Sequence, residues 1–558
     1  MGPARNPEKA LVASRAPRFC LAFFIAALLP LASVAPTLAR SEADAKLVAP
    51  PPGIGTTDAT VGTVLRLHEK AIGMPVTPNA TRHETWARNE TGLEGSETLV
   101  RDGLDYHARL QRGPFLDEYW QIDGKRWHRS SNGVVSEMQS EDYDSFTMLR
   151  VLEDAADPKN DVKILGEVAD PKPAYVLEVT RSGEKRPEWI FYEKATGLVS
   201  RVEAVEGSVR VVSTYDDYRK ANGSSEPWHV HDVFGDTGAE LDYVRKAQTF
   251  GDPVDPHEFD VPAGAFKPGN FNEPAILPSQ IPFGSVIVRL VVNGRGLDFE
   301  VSAGEPKSYI NRDVAFELGL PTFDQLTKTK DGKNVGFETV IPEATIGQTK
   351  LKDFAVRAVS FSYHANEGTK VVGLLGYDFL CSGAFKIDYV KNQFEIVDLA
   401  KEVPKMKSPF VLRLNLDDGL PFIAGSIASH DSQNILFDNS FTFSMLFGSF
   451  TNRFPEAAPA TRGTKRKSVV PFADSSTYGR EADVWLSKLA AFQFANQKYT
   501  NLDILATDGD AGYDHPVDAV LGFDFLYYFD VFLDLSHRQV ILSANDNFNK
   551  RFRRVSQL

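Results

Sequence analysis

The chain has 558 residues, too many for one core, so two or three domains of ordinary size are expected. Hydrophobic residues make up 42% and aromatic residues 11%, which excludes large-scale disorder. A formal net charge of −14 argues against a nucleic-acid partner, because neutralising phosphates needs a basic surface.

At the N-terminus, Arg5, Lys9, Arg15 and Arg18 precede an apolar run from Cys20 to Leu29, and Thr37–Leu38–Ala39 follow. A positive flank, a short apolar stretch and a small-residue end describe a signal peptide over residues 1–39, cut after Ala39. The run is short for a bilayer span. After such a cut the chain keeps a single cysteine, Cys381, so stability must come from cores and not from disulfides. An exported protein without disulfides fits a bacterial periplasm or envelope, and periplasmic or secreted localisation is the expectation.

Residues 40–58, with Pro50–Pro51–Pro52, read as a linker. Val64, Leu65, Leu67, Ala71 and Ile72 cluster on one side of a predicted helix from Val61 to Ile72. From Arg82 to about Val261 short alternating strands are punctuated by turns. Tyr119–Ile122 runs into Asp123–Gly124, and Ala174–Val179 runs toward Ser182–Gly183. This spacing predicts an antiparallel half-barrel-like sheet, with residues 59–265 as one domain. Prolines 253, 256, 262, 268 and 274 then mark a boundary.

Two stretches, Phe191–Leu198 and Thr214–Arg219, give this domain a local resemblance to the outer-membrane lipoprotein carrier family. The resemblance implies an open half-barrel whose concave face accepts acyl chains or other apolar ligands. The alternative is a sheet packed on its own helix, with no cavity.

The second half contains a repeat. Leu375–Gly376–Tyr377–Asp378–Phe379–Leu380 recurs as Leu521–Gly522–Phe523–Asp524–Phe525–Leu526, an offset of 521 − 375 = 146 residues. Ile387–Asp388–Tyr389 recurs at the same offset as Leu533–Asp534–Leu535. Upstream, Val286–Val292 meets Asn293–Gly294, a strong hairpin signal, and the next strand enters Ser302–Ala303–Gly304. In the second copy, Pro421–Ile427 and Ile435–Phe437 lead to Asp438–Asn439–Ser440.

Strand, turn triplet, further strands and an apolar–apolar–Gly end resemble a lobe of the pepsin- and retropepsin-like aspartic proteases. Two such lobes, at 280–400 and 408–545, resemble the bilobal enzyme, and the whole chain reads as mainly β. The family's chemistry needs one carboxylate from each lobe, close enough to share a proton. The resemblance places the second-lobe aspartate at Asp438 and the first-lobe aspartate at Ser302. It places the middle and glycine positions at Ala303 and Gly304, and at Asn439 and Ser440. Gly304, Asn439 and Ser440 are candidate binding positions; Asp438 and the altered Ser302 are the candidate catalytic pair.

A serine cannot share a proton as a carboxylate does, so an impaired or lost dyad is expected. Asp298 and Glu300 lie on the face of Ser302 if the strand is regular, alongside it and not at the turn apex; a register shift could place Glu300 nearer Asp438. The duplicated Asp378 and Asp524, and likewise Asp388 and Asp534, read as structural. His229 and His231 share a strand face without a third nearby ligand. No Gly-rich phosphate loop, nucleophile elbow or cysteine pair is present, so neither cofactor nor metal is expected. Two readings stay open: a protein that binds peptide or protein segments in the cleft, and an aspartic endopeptidase using Asp438 with a non-standard partner.

Overall fold

The computed structural model describes residues 49–548 apart from 74–79, 139–150, 153–154, 183–186, 207–208, 236–238, 324–335, 361–362, 365–368, 407–408, 418, 471–479, 495–496, 510 and 512–515. The leader and most of the linker expected from the sequence lie outside the described residues.

The chain is mainly β. Thirteen described strands between Arg82 and Phe250 form one antiparallel sheet. The first six run outward from the centre to Val135–Met138, and the other seven return from Asp161–Val168. First and last meet in the middle, Arg82–Glu90 against Ala239–Phe250, so two meanders are stitched into one surface. Turns such as Asp123–Gly124, with φ of 51° and 75°, reverse the chain between neighbours.

The helix Val61–Ile72 forms as its periodicity predicts. Thr60 caps it by accepting from the Thr63 N–H, and Val64 and Ile72 are fully buried. They pack with Leu177, Ile190, Tyr192 and Tyr215 on the strands of the second meander.

The C-terminal half repeats one plan twice. In the first lobe, Val286–Val292 turns through Asn293–Gly294 into Arg295–Val301, which lies parallel to Lys370–Leu375. In the second, Leu420–Ile427 turns through Ala428–Ser429 into His430–Phe437, which lies parallel to Ala519–Leu521. Val301 pairs with Leu375 and Phe437 with Leu521, so the duplicated glycines follow equivalent strand ends. The turns are offset by 438 − 302 = 136 residues and the glycine motifs by 146. The difference of 10 is extra chain between turn and glycine in the second lobe.

A shared sheet joins the lobes, with Phe385–Asp388 antiparallel to Phe529–Asp534. Beneath it Phe379, Phe385 and Phe394 are fully buried, each contributing about 2–3 kcal/mol by area. Val134, Phe266 and Phe271, which precede the first lobe, belong to the same core. The first half is therefore seated on the second. Asn132 fixes the contact: its side-chain oxygen accepts from Ala355 N–H at 3.0 Å, and its amide donates to Ala355 O and Asp378 Oδ2, each at 2.9 Å.

Candidate active site

The two turns meet. Ser302 and Asp438 are 1% and 2% exposed, and Ser302 Oγ donates to Asp438 Oδ1 at 3.2 Å. Each turn is held at the end of its own strand, because Ser302 N–H bonds to Leu375 O and Asp438 N–H to Leu521 O. These are the two positions that the aspartic-protease resemblance aligns with each other, and they lie side by side.

Asp438 is heavily solvated by protein groups. It accepts from Ser440 N–H at 2.9 Å, Ser440 Oγ at 2.8 Å, Ser302 Oγ, and the backbone of Gly304. Ser440 N–H bonding two residues back makes a local Asx turn. Burial pushes the Asp438 carboxyl upward, and these donors pull against that. The Ser440 hydroxyl is also 3.1 Å from Ser302 Oγ, so three polar side chains form one compact network.

Gly304 is required for closeness. A Cβ there would overlap the Asp438 carboxyl group, so the glycine kept in the first turn is what lets the second lobe approach. Asn439, fully buried, spends both ends of its amide on the first lobe. Its oxygen accepts from Ala303 N–H at 2.9 Å and its nitrogen donates to Val301 O at 2.7 Å. It clasps the two turns together.

Glu300 lies two residues before Ser302 and is 6% exposed. Its strand pairs with Val286–Val292 without a shift, and the irregularity lies on the other side, opposite Lys370–Leu375. Burial and the Asp438 charge push its carboxyl up to about 8, while a hydrogen bond with Ser285 opposes the shift. Asp298 lies elsewhere, in a two-pronged ion pair with Arg289 at 2.8 Å and 2.8 Å.

The duplicated aspartates serve a bracket that the sequence did not suggest. Ser308 Oγ donates to Asp378 at 2.6 Å and accepts from Gly376 N–H at 3.0 Å. Ser444 repeats this with Asp524 at 2.7 Å and Gly522 N–H at 3.0 Å. Each serine lies six residues after the first position of its turn, so the bracket ties every turn to its glycine loop. The matching interval of 136 residues from Ser308 to Ser444 was a signal available in the sequence. Asp388 is neutralised by Lys386 and Lys391, each at 2.9 Å, which pulls its pKa down to about 2. His229 bonds Asp216 and Asp242 through its two ring nitrogens, at 2.8 Å and 2.7 Å.

Residues 288–379 match the family model described as aspartyl protease. The matched stretch contains the first-lobe hairpin, Ser302–Gly304 and the first glycine motif. Over those residues the first lobe is thus aspartyl-protease-like. No curated protein sequence matches the chain.

Among solved structures, an aspartic proteinase from Irpex lacteus is 12% identical, with 49% of this chain and 98% of that one covered at a TM-score of 0.28. Basic 7S globulin from soybean is 13% identical, with 50% and 96% covered at 0.29. A domain ascribed to outer membrane lipoprotein sorting, from Vibrio parahaemolyticus, is 10% identical, with 36% and 96% covered at 0.27. At such scores these likenesses carry no weight on activity.

Proposed function

We propose that the aspartyl-protease-like half is a cleft that engages extended peptide or protein segments and has lost the inherited acid pair, in a protein exported to the bacterial envelope. The observation that supports this is Ser302 Oγ, 3.2 Å from Asp438 at the position where a second carboxylate would stand. A hydroxyl there donates to Asp438 and stabilises its anion, whereas a second carboxylate would compete for one proton. The preserved frame supports retention of peptide engagement. Gly304, the Asn439 clasp and both serine brackets all serve to hold the two turns together between the lobes. For the N-terminal sheet we infer an apolar ligand, from its resemblance to lipoprotein carriers; the helix Val61–Ile72 covers the strands of the second meander.

The test is capture of a diverse peptide library on the immobilised full-length chain, alongside Gly304→Leu, which forces the turns apart. Retention of defined extended peptides by the wild type, lost in the variant, is expected. Folded protein that retains no peptide sinks the reading.

A further inference from the structure

The N-terminal sheet buries an arginine whose donors are not spent. Tyr215, Val230 and Tyr243 are register partners on three neighbouring strands, and the first two pack in the core beneath the helix Val61–Ile72. Trp228 lies two residues before Val230, Arg245 two after Tyr243, and Trp86 pairs directly with Arg245. Alternation therefore sets Trp86, Trp228 and Arg245 on the helix side of the sheet. The Arg245 guanidinium stacks over the Trp86 ring at 4.3 Å and lies 5.8 Å from the centre of the Trp228 ring. Its side chain is 2% exposed.

A buried arginine ordinarily gives its N–H groups to acceptors. Here the one on Nε and the two on Nη1 have no hydrogen-bond partner among the described residues. The acids nearby are Glu84 and Glu226. Glu84 is already committed: Arg82 Nε, Trp86 Nε1 at 2.8 Å and Gln248 Nε2 at 2.9 Å all donate to it, and Arg245 Nη2 stands 3.7 Å off. Glu226 lends charge and no hydrogen bond. The Trp228 indole N–H is buried and equally without a partner, and the unpartnered Gln248 Oε1 is out of reach of both donors. A buried donor left unmade costs free energy, and a charged one costs more, so the acceptor these two side chains are set up for comes from outside the chain.

We propose that Arg245 and the Trp228 indole N–H hold the oxyanion head, carboxylate or phosphate, of an amphiphilic ligand of the N-terminal sheet. This rests on the apolar-ligand reading above and gives that ligand a charged end.

The donor set selects the chemistry. Four N–H groups at one place, three on Arg245 and one on Trp228, call for several lone pairs on one small group. A carboxylate or phosphate supplies them, and its bonds to a guanidinium are charge-assisted; a single hydroxyl or carbonyl supplies too few. The same side of the sheet turns apolar toward Leu177 and Ile190 under the helix, so charge is received at one end only. Arg219, whose side chain is 53% exposed and held by Asp217, lies 4.3 Å over the Trp228 ring. An oxyanion arriving from solvent thus meets an exposed cation beside the same indole before it reaches the buried one.

The experiment titrates the full-length chain calorimetrically with dodecyl phosphate below its micelle concentration, with dodecanol and with inorganic phosphate. Dodecyl phosphate is expected to bind about 10- to 100-fold more tightly than dodecanol, the range of a charged hydrogen bond. Arg245→Met is expected to bring it down to the level of dodecanol, and Trp228→Phe, which keeps a ring and removes the N–H, to weaken it about 3- to 10-fold. The wild-type comparison of phosphate with alcohol stands even where Arg245→Met does not fold. Equal affinity of wild type for dodecyl phosphate and dodecanol overturns the proposal and leaves the apolar-ligand reading standing. Dodecyl phosphate affinity unchanged in folded Arg245→Met and Trp228→Phe overturns it by placing the anion elsewhere. Inorganic phosphate that binds as tightly as dodecyl phosphate assigns the donors to a free anion and overturns the amphiphilic ligand. Folded wild type that binds none of the three removes the apolar-ligand reading and the proposal with it.

Discussion

Glu300 makes the fold itself sensitive to pH. Its carboxyl moves from an ordinary 4.5 to about 8 in the folded chain. The difference, 8 − 4.5 = 3.5, corresponds at about 1.4 kcal/mol per tenfold to roughly 5 kcal/mol once titration is complete. The sign follows from which state holds the proton. Below pH 4.5 both states hold it and Glu300 contributes nothing to the pH dependence. Between 4.5 and 8 the unfolded chain has released the proton and the folded chain has not, so stability falls steadily as pH rises. By pH 7 the expected loss is about 3 kcal/mol. Glu300→Gln keeps the shape without the titration, so its stability curve should lack this fall. Tryptophan-monitored urea unfolding of both proteins at a series of pH values measures the difference, in which groups common to both largely cancel. The C-terminal half is followed through Trp485, its one tryptophan, because a chain of several domains need not unfold in one step. If the wild type and Glu300→Gln run parallel from acid to alkaline pH, Glu300 is not held protonated and the argument from its burial is wrong.

Three other outcomes follow from the same contacts. Asn439→Ala strips the partners from buried Ala303 N–H and Val301 O and should destabilise the C-terminal half by about 2–4 kcal/mol, measured by chemical denaturation. Gly304→Ala introduces a Cβ into the Asp438 carboxyl group and should cost about 1–3 kcal/mol by the same assay, with a matching loss of peptide affinity. Asn132→Ala removes three hydrogen bonds between the halves of the chain; limited proteolysis should cut at the prolines around 253–274 faster than in wild type, with each half persisting as a resistant fragment.

Much of this architecture is legible from local chemistry. The Asn293–Gly294 hairpin follows from the ease with which those residues take positive φ, and the duplicated glycine motif places the second lobe. The meeting of Ser302 with Asp438 follows once two lobes are assumed. The second-lobe hairpin is harder to read, because Ala428 and Ser429 take positive φ without any glycine to advertise it. Alternation gives the face on which Glu300 stands, but not its distance from Asp438, which depends on how a second lobe 138 residues away closes over it. Asn132 is illegible for a similar reason. It lies in a polar turn, Ser130–Ser131–Asn132–Gly133, whose partners Ala355 and Asp378 are 223 and 246 residues distant. Nothing in its local sequence separates it from an ordinary surface turn.

The Asn439 clasp also bears on descent. Both bonds of the clasp are made by a second-lobe side chain, and the corresponding first-lobe residue, Ala303, has no side-chain group to give in return. Two copies of the first lobe facing one another would set alanine against alanine, with nothing to lock them. At the clasp position the first lobe therefore offers only backbone groups, and its own side-chain bond across the turns is that of Ser302. The two lobes are thus unequal partners at their meeting point: the clasp that joins them is built from one side alone.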